Sequence, residues 1–143
     1  MTVKQMSVFL ENTPGKMAEF TDLLYKNNID MRALSLAEAE DFGIVRLIVN
    51  DVYTTSTVLK DAGYVFSITK VIAVGMPDEP GALSKVLKCL GAEGVNVEYM
   101  YAFLTKKENL AYMIFRVQDN EKAVEVLGRN GFRPLCQDDL KGI

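Results

Sequence analysis

A Pro-Gly dipeptide that occurs twice in the same local setting constrains this chain more than any other feature. In Leu10-Glu11-Asn12-Thr13-Pro14-Gly15-Lys16-Met17 it stands between a β-rich run and a helical pattern. The stretch Met76-Pro77-Asp78-Glu79-Pro80-Gly81-Ala82-Leu83 repeats the arrangement 66 residues later. Proline presets φ and has no N–H to lose, so it suits the first turn of a helix. Glycine lets another group approach the backbone closely. A strand that becomes a helix through Asx-x-Pro-Gly presents free backbone N–H groups beside a small polar side chain. That combination can seat a small anion such as an amino-acid carboxylate. One such turn is usually an ordinary connection; two in register argue for a use.

The repeat extends beyond the turns. Asn28-Ile29-Asp30-Met31 corresponds to Gly94-Val95-Asn96-Val97 at the same offset. Later the offset becomes 68, with Phe42-Gly43-Ile44-Val45 against Leu110-Ala111-Tyr112-Met113, Asp51 against Asp119, and Gly63 against Gly131. A two-residue length change in the connection between the second and third strands accounts for the shift, as hairpin loops tolerate. The chain is thus expected to form two homologous units, residues 1–69 and 70–143. Each reads strand–helix–strand–strand–helix–strand. In the first, residues 3–10 are β-rich, and Met17, Phe20 and Leu24 recur at helical spacing. Two strands at residues 31–37 and 44–49 flank an acidic loop, Glu38-Ala39-Glu40-Asp41. Asp51 and Asp119 are expected N-caps, Asn28 and Gly94 helix ends, and Gly63 and Gly131 left-handed stops. Residues 65–68 and 132–136 are expected last strands. Leu83, Val86, Leu87 and Leu90 form a core stripe with Cys89 off it, while Tyr99 and Tyr101 share one strand face. The expected fold class is α+β: two ferredoxin-like βαββαβ units, each a four-stranded antiparallel sheet with helices on one face.

Several function classes are disfavoured. The chain has no histidine, which removes the commonest general base, the commonest transition-metal ligand, and Ser-His or Cys-His nucleophile pairs. Cys89 and Cys136 form no Cys-x-x-Cys pair and read as free thiols. Neither a phosphate-binding Gly-x-x-x-x-Gly-Lys motif nor Gly-x-Gly-x-x-Gly occurs. Glu38, Glu40, Asp41, Asp138 and Asp139 could hold a hard cation, but they read as solvated charge. No catalytic residue, metal site or cofactor is expected. Net charge is −3, and among the 16 basic residues only Lys106-Lys107 are adjacent. Nucleic-acid affinity rests on clustered cations, so no nucleic-acid partner is expected. The third strands also lack the Gly-aromatic pattern of RNA-recognition modules of the same topology. No apolar stretch is long enough to cross a membrane, and Met1-Thr2-Val3-Lys4-Gln5 lacks signal-peptide character. A cytoplasmic, non-membrane protein is expected.

Pro77-Asp78-Glu79-Pro80-Gly81-Ala82-Leu83 followed by Gly94-Val95-Asn96-Val97 resembles the signature of the ACT domain, a regulatory module of amino-acid metabolism. The first half matches with Asn12-Thr13-Pro14-Gly15-Lys16-Met17 and Asn28-Ile29-Asp30-Met31, so the resemblance covers almost the whole chain. It implies amino-acid binding where one unit's strand–helix turn meets the start of the second strand of a neighbouring unit. The implied ligand-binding residues are Asn12, Thr13, Pro14 and Gly15 with Asp78, Glu79, Pro80 and Gly81, faced by Asp30, Met31, Asn96 and Val97. Backbone N–H groups would hold the ligand carboxylate, and Asn or Asp oxygens its ammonium. Sites formed across units would pair Asn12 with Asn96 and Asp78 with Asp30. The carboxylate pair would repel a ligand carboxylate, so the Asn12/Asn96 site is expected to be favoured. The leading expectation is a non-enzymatic amino-acid sensor that forms a homodimer through its sheets or helices and modulates a partner enzyme or regulator. The alternative is a regulatory subunit of an amino-acid biosynthetic enzyme.

Overall fold

The computed structural model describes residues 1–104 and 107–143; Lys106 of the adjacent lysine pair thus lies outside the described residues. Two compact units are present, one of residues 4–69 and one of residues 70–143 together with residues 1–3. The first unit carries β1 (Val3–Glu11), α1 (Lys16–Lys26), β2 (Met31–Ala39), β3 (Phe42–Val49), α2 (Val52–Asp61) and the start of β4 (Val65–Pro77). The second carries the rest of β4, α3 (Ala82–Ala92), β5 (Tyr99–Ala102), β6 (Leu110–Arg116), α4 (Asn120–Arg129) and a 3-10 turn, Gln137–Gly142.

Within the first unit β3 lies between β2 and β1, antiparallel to both, with Val45 opposite Val8 and Leu47 opposite Leu34. Period-two alternation sends Met6, Val8 and Leu10 of β1 to the same side as Val45, Leu47 and Val49 of β3. Those residues form a core with Phe20 and Leu24 of α1 and Leu59 of α2. Phe20 meets Tyr64 edge-on at 5.5 Å between ring centroids. The second unit repeats the arrangement, with β6 between β4 and β5. Its core joins Ile72, Val74 and Met76 of β4 to Val86 and Leu90 of α3 and Val126 and Leu127 of α4. Both units are therefore α+β, an antiparallel sheet with its two helices packed on one face.

Local sequence chemistry explains the boundaries. The Asp51 carboxylate accepts from the Thr54 N–H at 3.0 Å and the Asp119 carboxylate from the Lys122 N–H at 3.0 Å, each capping a helix start. Asn28 and Gly94 follow the ends of α1 and α3 at φ 54 and 74, and Gly63 and Gly131 both sit at φ 82. Tyr99 and Tyr101 do share a face, with ring centroids 6.5 Å apart.

Four expectations are corrected. The acidic segment is mostly strand: Ala39 pairs with Phe42, leaving only Glu40 and Asp41 as the turn, with Glu40 at φ 54. The runs at 65–68 and 71–74 are one uninterrupted strand of 13 residues, because Thr69-Lys70 contains no breaker. Residues 132–136 form no regular strand. Their pairing is a single bridge between Pro134 and Val74, with the Leu135 N–H donating to the Ala73 carbonyl at 2.8 Å. Proline has no N–H to extend that ladder. Asp139 is no idle surface charge; it accepts from the Cys136 N–H at 2.8 Å, which holds its carboxyl below the usual aspartate range.

Hydrogen bonds from the Thr54 N–H and hydroxyl likewise lower the Asp51 pKa. A carboxylate with a depressed folded-state pKa stabilises fully above its ordinary value, and that contribution is lost as pH falls through the folded-state value. Asp51→Ala should therefore lower the melting temperature at neutral pH. Calorimetry should find that the gap to the parent closes as acidification proceeds below the ordinary aspartate pKa; a constant gap would contradict this role.

Candidate functional site

The two Pro-Gly turns are built alike, bond for bond. In the first, the Asn12 N–H donates to the Asp41 carbonyl at 3.0 Å, Thr13 N–H to Glu11 at 3.0 Å, Lys16 N–H to Thr13 at 3.4 Å, and Glu19 N–H to Gly15 at 3.0 Å. In the second, Asp78 donates to Asn109 at 2.9 Å, Glu79 to Pro77 at 3.0 Å, Ala82 to Glu79 at 3.3 Å, and Lys85 to Gly81 at 3.1 Å. Gly15 and Gly81 occupy the N-cap positions at φ 87 and 88 with no side-chain cap. The prolines therefore precede the N-cap instead of entering the first helical turn. Left-handed glycine redirects the chain within one residue, which a β-carbon would oppose.

Helix geometry leaves the next amides without intrahelical acceptors: Met17 and Ala18 in the first copy, Leu83 and Ser84 in the second. These N–H groups point out of the helix start, where the backbone dipoles favour negative charge. Asn12 adds a fixed polar group. Its Nδ2 donates to the Glu40 carbonyl at 2.9 Å, which orients the amide and leaves Oδ1 as an acceptor.

In the first unit this turn opens onto a cavity of about 270 Å³. Asn12, Thr13 and Gly15 line it, as do the α1 residues Lys16, Met17 and Ala18. Leu10, Glu11, Leu36 and Gly43 complete the lining. A second cavity, of about 340 Å³, lies in the other unit at the start of α4 and includes Asn96, Gln118 and Lys122.

The residues singled out from sequence thus fall in different places. Asn12, Thr13 and Gly15 come together on one cavity, with Pro14 exposed in the same turn. Asp78, Glu79, Pro80 and Gly81 form the exposed second turn. Met31 and Val97 are partly buried against the cores of their own units. Asp30 is exposed, accepts at its carbonyl from the Asn50 N–H at 3.1 Å, and pairs its carboxylate with Arg32 at 3.2 Å. Arg32 supplies a cation that the expected Asp78/Asp30 repulsion did not include. The two residues stand at i and i+2, a spacing that signals one strand face.

Sequence reasoning also missed Leu36, Gly43 and the hairpin-tip carbonyls of Glu40, Asp41 and Asn109. Leu36 was detectable as the continuation of the Leu34 alternation; the carbonyls carry no side-chain signal. Cys89, without an assigned contact from sequence, packs against the second core, and its thiol donates to the Val86 carbonyl at 3.0 Å. Burial pushes that thiol's pKa up. Among the described residues no group of three or more His, Cys, Asp or Glu side chains could hold a metal ion, and no helix is long and apolar enough to cross a membrane.

Comparison with known proteins places this geometry. A family model described as an ACT domain pair matches residues 1–143. Protein BT0572 from Bacteroides thetaiotaomicron superposes with a TM-score of 0.91 at 42% identity, over 100% of this chain and 98% of that one. The ligand-free regulatory subunit of aspartate kinase from Thermus thermophilus gives a TM-score of 0.60 at 15% identity, over 88% of this chain and 91% of that one. Aspartate kinase from Synechocystis gives 0.56 at 18% identity, over 90% of this chain and 25% of that one. At those identities the two kinase structures share a fold with this chain. No functionally curated sequence matches.

An added β-carbon at Gly15 or Gly81 would meet nothing within 4 Å, so any cost of alanine there is backbone strain. Gly15→Ala and Gly81→Ala should each destabilise by about 1–2 kcal/mol in denaturant titrations. No loss would show that the left-handed turn is not required.

Proposed function

Because the chain belongs to the ACT domain pair family, a regulatory module, we propose that it is a non-enzymatic sensor that binds a free amino acid at its strand–helix turns and passes the signal to a partner protein. The observation that carries this reading is the first turn. Oriented amides at Met17 and Ala18 and the held Asn12 amide border a cavity of small-molecule size. The amides suit a carboxylate, and Asn12 Oδ1 suits an ammonium. A zwitterion presents both groups on one carbon, which matches the short distance from Asn12 to Gly15 along the turn.

The ligand-binding residues in this reading are Asn12, Thr13, Pro14 and Gly15, with Asp78, Glu79, Pro80 and Gly81 in the repeated turn. Asp30 with Met31 and Asn96 with Val97, at the starts of the second strands, complete the set. Signalling needs no chemistry. A ligand that prefers one of two conformations or assembly states shifts the population by its differential affinity. A homodimer is the simplest assembly for such a shift, and a metabolic enzyme or regulator its natural recipient.

A ligand held by the folded state alone stabilises it by mass action, by about 2.7 kcal/mol at a hundredfold excess over Kd, and so raises the melting temperature. A thermal-shift screen against the common amino acids should find at least one that stabilises the protein. The shift should shrink in Asn12→Ala, which loses both the acceptor and the tether to Glu40. The absence of any shift at millimolar ligand would contradict amino-acid sensing.

A further inference from the structure

We infer that the first-unit site selects an amino acid with an aliphatic side chain, and that Leu36 and Gly43 are the residues that set this preference. This rests on the amino-acid-binding reading above and names the ligand class of that site. Beyond the polar turn, the cavity is lined by Leu10, Met17, Leu36 and Gly43. Leu36 is 56% exposed, although it stands on the helix-covered side of the sheet. Its neighbour two residues back, Leu34, packs into the core. A leucine left half in water at the wall of a cavity is an apolar surface that a ligand side chain can cover.

The position of Gly43 fits the same use. It lies beside Leu36 in the β2–β3 pair, and a β-carbon built on it would come within 3.1 Å of the Leu36 Cδ1. Glycine therefore lets the leucine pack closely over the strand, where a β-carbon would press on it. The repeat supplies an internal comparison. Leu36 pairs with Val45, and in the second unit Met113, the counterpart of Val45, pairs with Ala102. Gly43 corresponds to Ala111. The second copy thus has alanine at both wall positions, so selectivity for an aliphatic side chain belongs to the first copy. Charge points the same way: Glu11 also lines the cavity, and the Lys16 ammonium is already paired with Glu19 at 3.6 Å.

An apolar pocket discriminates by roughly tenfold or more for each methylene it covers. Calorimetry on the intact protein with leucine, isoleucine, methionine, alanine, serine, aspartate and lysine tests the inference. The expected result is binding of leucine, isoleucine or methionine at least about tenfold tighter than alanine or serine. Leu36→Ala, checked for folding by circular dichroism, should reduce that preference. Gly43→Ala should move it toward the smaller side chains. Tighter binding of serine or aspartate would overturn the selectivity and leave amino-acid sensing standing. Binding of lysine alone would make Glu11 the selector and also overturn it. An unchanged preference in a folded Leu36→Ala protein would overturn the role of the wall. No binding by any of the common amino acids would instead remove the functional reading beneath it.

Discussion

A strand can hand over to a helix in so few residues only if one of them leaves the right-handed half of conformational space, and in both copies that residue is glycine. Gly15 at φ 87 and Gly81 at φ 88 each end a turn whose first N–H is tied to the tip of the neighbouring β-hairpin. The tie fixes where the helix begins. Once it begins, the amides of its first turn have nowhere internal to go, because the carbonyls four residues earlier belong to the turn. The polar face of each candidate site is thus a by-product of the fold's tightest corner. The cores need the corner too: α1 can place Phe20 and Leu24 over β1 and β3 only if it starts where it does.

What distinguishes the copies is the wall, since the corners are nearly superimposable in their hydrogen bonding. Asn12 reaches the Glu40 carbonyl, while the repeat has Asp78, which lacks an amide to donate. The hairpins differ in length as well: the corresponding pairs Leu36/Val45 and Ala102/Met113 enclose eight and ten residues. Leu36 and Gly43 give way to Ala102 and Ala111. Duplication has kept the backbone device and varied the side chains around it, as expected if the device binds what all amino acids share and the walls read what they do not.

Much of the architecture was legible because it follows local rules. The N-caps Asp51 and Asp119, the glycine stops, the period-two cores and the unit-by-unit repeat all depend on residues close in sequence. The failures came where a distant partner or a missing atom decided the outcome. Pro134 prevents a regular last strand by what it cannot donate, and Thr69-Lys70 continues a strand because nothing interrupts it. The prolines of the two turns looked like helix starters, yet the glycine after each one is the true boundary. At the site, the turn residues were visible from the sequence alone. Leu36 was visible only as the continuation of the Leu34 alternation; its place next to Gly43 is a relation created by strand register. Arg32 pairs with Asp30 and offsets the charge behind the expected inequality of the two sites.

The central claim is that the unpaired amides at the start of α1 receive the carboxylate of a bound amino acid. The most direct measurement follows backbone amide resonances of the isotope-labelled protein by NMR during titration with the amino acid that stabilises it most. The account predicts that the Met17 and Ala18 amide signals move first and furthest, saturating together with the Asn12 side-chain signal. Saturable binding that leaves Met17, Ala18 and Asn12 unmoved while signals elsewhere shift would contradict it.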